Sequence, residues 1–261
     1  MSAALTFRLL GQGIAYSASP AMMAAAFATL GLPHRYLLAD IPAEDVPVSV
    51  DRLRADDCGG ANVTVPHKAA VAALMDDLTE VAREAGAVNT VVRDGARLIG
   101  HNTDVPATLE AIARLCPQGL ERALVLGAGG AGRAVLLALR KAGVEEITVL
   151  RRSDGSIGRL AEAIEGADLL VNATPMGTGS DASLVPAELL RADLAVLDLV
   201  YRPSPTRLVR EARAAGASAE SGAGILLGQA WRSLERWLGV PAPREAMRAA
   251  LDAELGGSSG A

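Results

Sequence analysis

The chain has 261 residues, of which 50% are hydrophobic and 21% are charged. This composition is typical of a folded protein, and the length favours two domains, because a domain usually takes about 100–200 residues. The formal net charge is −5 and only 3% of the residues are aromatic. These values argue against the basic field and the stacking platforms on which nucleic-acid binding depends, so we expect no nucleic-acid partner.

Local composition argues against a membrane span, a secretory leader and a metal site. The longest uncharged run, from Leu9 to Pro33, has the length of a span, but glycines, serines and Pro20 interrupt it, so we predict no membrane partner. We expect no leader, since no basic segment precedes a compact apolar one. Cys58 and Cys116 lack metal-ligand spacing, and two free thiols suit a reducing cytoplasm.

The first hundred residues alternate short apolar runs with helical patterns, which is typical of an α/β domain. Pro20 at the first helical position, Ser19 as the N-cap and Gly31 after the last turn bound the first helix. Asp94-Gly95 lies between two apolar runs and predicts a hairpin turn. The strands are predicted at Thr6–Leu10, His34–Ala39, Ala61–Val65, Val88–Arg93 and Arg97–Gly100, and the helices at Pro20–Leu30, Val46–Ala55, Val71–Leu74 and Glu80–Ala85.

The second half is more regular, because continuous apolar strands alternate with amphipathic helices. That pattern predicts a parallel sheet covered on both faces. We place the domain boundary near Asp104–Leu120 and a return to the first domain near Gly222. The strands are predicted at Arg122–Leu126, Glu146–Leu150, Leu169–Asn172 and Leu194–Asp198, and the helices at Ala131–Ala142, Gly158–Ile164, Thr206–Ala215 and Ile225–Leu238.

A glycine-rich turn joins the first strand of the second half to its helix. Gly127, Gly129 and Gly132 fit the pattern G-x-G-x-x-G, with Gly130 as an additional glycine. The missing β-carbons allow a pyrophosphate to approach the backbone, and the helix N-terminus supplies free N–H groups. Between a strand and a helix, this turn predicts a dinucleotide site, although a tight turn without a ligand has the same pattern.

The end of the next strand distinguishes NADP from NAD. An acidic residue there binds the ribose 2′-hydroxyl of NAD, whereas arginine accommodates the 2′-phosphate of NADP. Arg151 and Arg152 occupy this place, and a guanidinium binds phosphate bidentately, so we favour NADP. Two solvated surface arginines are the alternative, and Asp154 comes a little late in the chain for the NAD role.

Four polar clusters follow element ends in the first half. Hydroxyls, amides, a lysine and a carboxylate together suit a small polyhydroxylated substrate. Taken singly, each residue could be a helix cap or a turn residue. The clusters are Ser17 with Ser19, Asn62 with Thr64 and Lys68, Asn89 with Thr90, and Asn102 with Thr103 and Asp104.

Spaced motifs with these residues run through nearly the whole chain, in the order SASP, NVTVPHK, GAVNT, GHNTD, GAGGAGRA, NATPMG, DLVYRPSPT and GILLGQA. The set resembles the shikimate dehydrogenase family. The resemblance implies NADP-linked, reversible reduction of 3-dehydroshikimate to shikimate, on the pathway to the aromatic amino acids. It also implies an N-terminal α/β substrate domain and a Rossmann-type, doubly wound dinucleotide-binding domain, with the active site in the cleft between them.

The resemblance also implies a division of the chain. Residues 1–104 form the substrate-binding and catalytic domain, which C-terminal helices at about 223–255 complete. Residues 105–222 form the NADP-binding domain. Residues 256–261, with the sequence GGSSGA, are too small and polar to pack, so we expect them to be a flexible tail.

Residue by residue, Lys68 matches the catalytic lysine of the family and Asp104 matches its partner aspartate. A lysine can transfer the proton of an alcohol when its surroundings tune its acidity. We take His67 and His101 as structural. The substrate-binding positions are Ser17, Ser19, Thr64, Asn89, Asp104, Tyr201 and Gln229, and the cofactor-binding positions are Gly127, Ala128, Gly129, Gly130, Ala131, Gly132, Arg151, Arg152, Ser153, Thr174 and Gly222.

Several positions depart from the family pattern, and those near Tyr16, Ala61 and Val105 could reshape the pocket rim. The departures are Tyr16, Met23-Ala24, Ala61, Val105-Pro106, Arg151 and Ser156, the last where a second basic residue is usual. They leave open a related dehydrogenase that acts on quinate, an aminoshikimate or another hydroxy acid, with NADP or NAD. A non-catalytic cofactor-binding sensor is a further alternative, and the resemblance permits a monomer or a homodimer.

Overall fold

The structure, a computed structural model, describes residues 3–256. Contacts divide the chain into two compact units. One unit runs to Asp104 and resumes at Leu227, and the other runs from Val105 to Leu226. Of the predicted flexible tail, Gly256 is instead the last residue of a helix, and residues 257–261 lie outside the described part of the chain.

Strands and helices alternate along most of the described chain. The strands are β1 Thr6–Gly11, β2 Arg35–Asp40, β3 Cys58–Val63, β4 Asp77–Leu78, β5 Thr90–Asp94, β6 Arg97–His101, β7 Arg122–Leu126, β8 Glu146–Leu150, β9 Leu169–Asn172, β10 Ala195–Asp198 and β11 Ala219–Ser221. The helices are α1 Ser19–Thr29, α2 Val46–Asp51, α3 Lys68–Ala72, α4 Glu80–Ala85, α5 Asp104–Leu115, α6 Gly130–Lys141, α7 Leu160–Glu165, α8 Arg207–Ala214, α9 Ala223–Leu238 and α10 Arg244–Gly256. None of the helices within residues 3–256 combines the length and the apolar character needed to cross a bilayer.

The first unit is built on a mixed six-stranded sheet in the order β2-β1-β3-β5-β6-β4. Strands β2, β1 and β3 are parallel, and β5 is antiparallel to both β3 and β6. The predicted hairpin at Asp94-Gly95 is present, because Asp94 pairs with Arg97 across the turn. The carboxyl ends of β3 and β6 therefore lie on either side of the start of β5.

Aromatic packing covers one face of this sheet. Phe7 of β1 lies with its ring 5.3 Å from that of Phe27 in α1 and 4.8 Å from that of Trp237 in α9. Glycines in β3 make room for these rings, since a β-carbon at Gly59 would lie 2.2 Å from Phe7 and one at Gly60 would lie 2.5 Å from Trp237. The other face holds an aliphatic core that includes Leu10, Leu53, Ala61, Val63, Val88, Val91 and Leu98.

Two expectations for this unit need correction. Ser19 is not the N-cap of α1, because Ala18 holds that position; Ser19 is the first helical residue, and its N–H donates to Oγ of Ser17 at 3.3 Å. Helix α3 begins at Lys68, three residues before its predicted start, so Lys68 is not in the loop after β3. Ala61, one of the departures from the family pattern, is fully buried in the aliphatic core.

The second unit contains a five-stranded sheet in the order β11-β10-β9-β7-β8, and all its neighbouring strands are parallel. From β7 the chain moves to β8 on one side and then to β9 on the other. The strand order therefore reverses at β7, and such a switch point opens a crevice at the carboxyl ends of parallel strands. The predicted α/β class with a Rossmann-type second domain is confirmed.

Apolar side chains from the strands and from α7 and α8 form the core of the second unit. Sequence reasoning predicted the four longer strands of this sheet and the helices that follow them. It gave no bounds for α5, and it did not predict β11, which has only three residues.

Candidate active site

Three strand ends of the first unit bring the predicted polar clusters together. Asn62 near the end of β3 is paired with Thr90 at the start of β5, and Thr90 is paired with His101 at the end of β6. Because these three strands are adjacent, residues that are far apart in sequence reach one edge of the sheet. Thr103 lies shortly after the end of β6, and its backbone N–H donates to Oδ1 of Asn89 at 2.7 Å.

Lys68 and Asp104 meet at this edge. The Nζ of Lys68 donates to Oδ2 of Asp104 at 2.7 Å, and the two side chains are only 11% and 13% exposed. Each is the first residue of a helix, and the N–H of Asp104 donates to Oδ1 of Asn102 at 3.1 Å. The chain has only two lysines, at positions 68 and 141, and a lysine is rarely buried unless it is paired. Burial of this one therefore depends on the carboxylate.

Asn89 holds the carboxylate from its other side. Its Nδ2 lies 2.9 Å from Oδ1 of Asp104, 2.8 Å from Oγ1 of Thr103 and 3.5 Å from Oε1 of Gln229, while its Oδ1 accepts a hydrogen bond from Oγ1 of Thr90 at 3.0 Å. Gln229 comes from α9, 140 residues later in the chain. The predicted residues Lys68, Asn89, Asp104 and Gln229 thus form one cluster.

A second part of this network is buried. Asn62 accepts a hydrogen bond from the hydroxyl of Tyr36 at 2.8 Å and donates to Oγ of Ser233 at 2.9 Å. Ser233 also lies 2.7 Å from Oγ1 of Thr90. Burial raises the pKa of Tyr36, so the phenol stays neutral.

Sequence reasoning missed Tyr36 and Ser233 as members of this network. Ser233 lies four residues after Gln229 in α9, and its hydroxyl donates to the Gln229 carbonyl oxygen at 2.9 Å. The i, i+4 spacing places both residues on one side of the helix, which is the only signal in the sequence that could have indicated Ser233. Nothing in the sequence around Tyr36 distinguishes it from an ordinary strand residue.

Thr64 and the two histidines lie at the ends of elements of the first unit or in the loops beside them. Thr64 follows β3, and its N–H and C=O bond to Leu10 and His67. His67 is buried, and its Nε2 lies 2.8 Å from the carbonyl oxygen of Ile41. His101 accepts a hydrogen bond from Nε of Arg236 at 3.2 Å; burial, and then the charge of Arg236, lower its pKa to about 4. Both histidines therefore have structural partners.

The glycine turn of the second unit has the geometry of a close-approach loop. Gly127 has a φ of +93°, and a β-carbon there would lie 2.9 Å from Cγ2 of Thr174, beyond the end of β9. A β-carbon at Gly132 would lie 2.8 Å from the Gly127 carbonyl oxygen. At Gly129, by contrast, nothing lies within 4 Å of the β-carbon position. Two glycines are required by packing, and the third leaves the backbone open to a ligand.

Next to the turn, a concavity of about 620 Å³ lies between the ends of β7 and β8. The N–H of Gly127 donates to the Leu150 carbonyl oxygen at 2.8 Å, which holds the two strand ends together. The lining residues are Gly127, Ala128, Gly129, Arg133, Leu136, Arg151, Arg152 and Ser153. Gly130 and Ala131, also predicted to bind the cofactor, form the first turn of α6.

Asp154 is engaged locally and does not line this concavity. Its Oδ1 accepts hydrogen bonds from the N–H of Ser156 at 3.0 Å and from its hydroxyl at 2.6 Å. These bonds hold the pKa of Asp154 below its usual range. The Ser156 hydroxyl also accepts from the N–H of Arg151 at 2.8 Å. Ser156, one of the departures from the family pattern, therefore closes the loop that carries Arg151 and Arg152.

A second pocket, of about 400 Å³, opens on the other side of Arg152. Leu150, Ile157 and Leu184 give it apolar walls, and Thr174 also lines it. Two other predicted residues of this unit, Tyr201 and Gly222, lie outside both pockets. Gly222 is required by packing, because its β-carbon would lie 2.1 Å from the Leu199 carbonyl oxygen.

A buried carboxylate that sequence reasoning missed joins β9, β10 and α8. Asp198 accepts hydrogen bonds from Nδ2 of Asn172 at 2.8 Å, from the N–H of Val200 at 3.1 Å and from Oγ1 of Thr206 at 2.6 Å. Burial raises the pKa of its carboxyl group, against these hydrogen bonds, which lower it. Thr206 is also the N-cap of α8, so Asp198 fixes the loop between β10 and that helix.

Two family models match the chain. The shikimate dehydrogenase substrate binding domain matches residues 9–91, and the shikimate 5′-dehydrogenase C-terminal domain matches residues 222–251. A shikimate dehydrogenase (NADP(+)) of Symbiobacterium thermophilum is 40% identical over 276 residues, covering 95% of this chain and 94% of that protein.

Solved structures match over almost the whole chain. Shikimate 5-dehydrogenase from Thermus thermophilus, in complex with NADP(H) and shikimate, is 40% identical with a TM-score of 0.85, covering 96% of this chain and 100% of that one. Quinate dehydrogenase from Corynebacterium glutamicum, in complex with NAD, is 30% identical with a TM-score of 0.84, covering 95% of this chain and 98% of that one.

Proposed function

The chain belongs to the shikimate dehydrogenase family, and from that premise we propose that it is an NADP-dependent oxidoreductase acting on a CH–OH group. It reduces 3-dehydroshikimate to shikimate reversibly. The observation that carries this proposal is the buried pair of Lys68 and Asp104, whose Nζ and Oδ2 atoms are 2.7 Å apart. One of only two lysines in the chain is therefore held beside a carboxylate at a polar strand edge.

In the proposed reaction the protein positions the substrate and moves one proton. When bound, the nicotinamide exchanges a hydride with the carbon that carries the reacting oxygen. In oxidation, the amine of Lys68 takes the proton from the C3 hydroxyl as its O–H bond breaks. In reduction, the ammonium returns that proton to the carbonyl oxygen. Asp104 accepts a hydrogen bond from Nζ of Lys68. This hydrogen bond fixes the orientation of the Lys68 amine group.

The residues of the first unit suit a polyhydroxylated acid. We assign the binding of its hydroxyl and carboxylate groups to Ser17, Ser19, Thr64, Asn89 and Gln229, and we retain Tyr201 as a further substrate-binding position from the motif comparison. Hydroxyls and amides can each donate and accept, so they can match several substrate hydroxyls without a net charge. An unmatched buried polar group is costly, so such a set discriminates among related hydroxy acids.

The residues of the second unit fit NADP. Gly129 leaves an open backbone approach at the start of α6, where N–H groups and the helix dipole favour a pyrophosphate. Arg152 lies between the apolar pocket and the basic concavity, which suits an adenine on one side and a 2′-phosphate on the other. Asp154 is bonded to Ser156, which supports NADP over NAD because no acidic side chain lines the concavity.

An assay of the purified chain tests the proposal directly. Shikimate and quinate are each supplied with NADP and with NAD, and the absorbance of the reduced nicotinamide is followed. We expect the highest kcat/KM for shikimate with NADP. A preference for quinate, or for NAD, would favour the alternative of a related dehydrogenase with another substrate or cofactor. The similarity to a quinate dehydrogenase in complex with NAD is the reason for testing that alternative. Cofactor binding without any turnover would favour a sensor.

The cellular setting forms a separate part of the proposal. Cys58 and Cys116 are both free thiols, which suits a reducing compartment, and we expect the enzyme to work in the cytoplasm. Sedimentation of the purified chain distinguishes a monomer from a homodimer. Neither result changes the assignment of the reaction.

A further inference from the structure

Arg133 lines the concavity in which we place the 2′-phosphate, although the motif reasoning gave it no role. The concavity has three walls: the glycine turn, the Arg151–Ser153 segment and one face of α6. Arg133 and Leu136 form the α6 wall, and their i, i+3 spacing puts them on the same side of the helix. The N–H of Arg133 donates to the Gly129 carbonyl oxygen at 2.9 Å, so the residue sits in the first helical turn.

The charges around the concavity favour an anion. Three guanidinium groups line it, those of Arg133, Arg151 and Arg152, and no lining residue is acidic. Arg151 approaches Asp154 only at 3.9 Å. Within residues 3–256, the side chains of Arg133 and Arg152 form neither an ion pair nor a hydrogen bond, so both are available to a ligand.

A phosphate that is held from two directions is bound more selectively than one held by a single exposed arginine. A guanidinium donates two parallel hydrogen bonds to a phosphate, but an exposed pair is weakened by water and salt. Arg152 comes from the loop after β8 and Arg133 from α6, so the two side chains approach the concavity from different elements. A ligand with a hydroxyl in place of the phosphate would gain little from either cation.

We propose that Arg133 is a specificity-determining residue that binds the 2′-phosphate of NADP from the α6 wall, together with Arg152. This inference rests on the proposed function, because it assumes that the concavity receives the ribose end of the cofactor. It adds a second, independent element to NADP recognition. A contact of Arg133 with the adenine or the pyrophosphate is the competing possibility, and it would affect NADP and NAD equally.

The test compares ligands that differ only in the 2′-phosphate. Binding of NADP and NAD, and of adenosine 2′,5′-bisphosphate and AMP, is measured by calorimetry at low, constant salt on the full chain without substrate. The variants are Arg133→Ala, Arg152→Ala and the double variant. Arg140→Ala is the matched control, because it removes the same charge from the exposed last turn of the same helix.

If Arg133 binds the phosphate, Arg133→Ala weakens NADP and the bisphosphate by about tenfold or more but changes NAD and AMP by less than about twofold. In the double variant the preference for NADP is largely lost, while Arg140→Ala resembles wild type. Equal losses for NADP and NAD, or no loss in Arg133→Ala, would overturn the inference and leave the proposed reaction intact. A wild-type chain that does not prefer the bisphosphate over AMP would overturn both the inference and the NADP assignment.

Discussion

Nδ2 of Asn89 donates a 2.9 Å hydrogen bond to Oδ1 of Asp104, the carboxylate oxygen opposite the one that Lys68 binds. The carboxylate is therefore held on both sides, by an amide from the residue that precedes β5 and by an ammonium from the start of α3. A buried carboxylate with two donors has little freedom to rotate. The position of Nζ, and with it the direction of proton transfer, follows from this arrangement.

Replacement of Lys68 tests the proton-transfer role. Lys68→Ala is expected to lower kcat for shikimate oxidation by about 10²–10⁴-fold, the range typical of a lost acid–base group. Lys68→Arg keeps a positive charge but cannot give up its proton at neutral pH, so it should not restore turnover. Steady-state kinetics and calorimetric shikimate binding measure the two effects separately.

Lys141→Ala is the matched control, because position 141 is the other lysine of the chain and lies at the far end of α6. It should keep wild-type kinetics. Near-normal turnover in a folded Lys68→Ala protein that binds shikimate would remove the assignment of Lys68.

Loss of the Asn89 amide is expected to affect both stability and turnover. Asn89→Ala leaves a carboxylate oxygen and several hydroxyls of the network with fewer partners, which costs about 2–4 kcal/mol of unfolding free energy. The kcat should also fall, because without the Asn89 hydrogen bond Asp104 no longer holds the Lys68 side chain in one orientation. Urea unfolding and kinetics on the same protein measure both quantities, and a variant unchanged in kcat would separate Asn89 from the positioning of Asp104.

Asp198 is expected to matter for stability rather than for chemistry. Asp198→Ala removes the acceptor of three hydrogen bonds in a residue that is 1% exposed, and we expect a loss of about 2–4 kcal/mol. Asp198→Asn keeps the shape and should lose less. The control is Asp193→Ala, an exposed carboxylate that pairs with Arg191 on the surface, for which urea unfolding should show a change of less than about 1 kcal/mol.

His101 is expected to make stability depend on pH. Its folded pKa, about 4, lies below the unfolded value of 6.5, so the unfolded chain binds a proton more readily between these values. The contribution of His101 to stability is therefore complete above about pH 6.5 and is lost as the pH falls towards 4.

His101→Gln should reduce this dependence, because glutamine can accept a hydrogen bond from Arg236 without titrating. The unfolding free energies of wild type and variant are compared at about pH 7 and about pH 5. The difference in unfolding free energy between wild type and variant should be smaller at the lower pH. A difference that stays constant would show that His101 does not titrate with unfolding. Other acidic and basic groups cancel in this comparison.

The sequence by itself determined the features that depend on neighbouring residues. Strand and helix types follow from local periodicity, and the glycine turn is defined by six consecutive residues at the junction of a strand and a helix. Arg151 and Arg152, which follow β8, are likewise identified from one short segment of the sequence. Motif order was enough to indicate the family and to single out Lys68 and Asp104, although neither their contact nor their chemistry is encoded locally.

Only the tertiary structure decided which side chains meet. Lys68 and Asp104 are 36 residues apart in sequence, and Asn62 and Ser233 are 171 residues apart; their contacts exist because β3, β5 and β6 are neighbours and α9 packs beside them. The burial of Ala61 in the aliphatic core is likewise decided by the sheet. Arg133 and Arg152 line one concavity because β7 and β8 are adjacent. Strand order is set by the burial of whole faces, a global free-energy balance that no short segment of the chain contains.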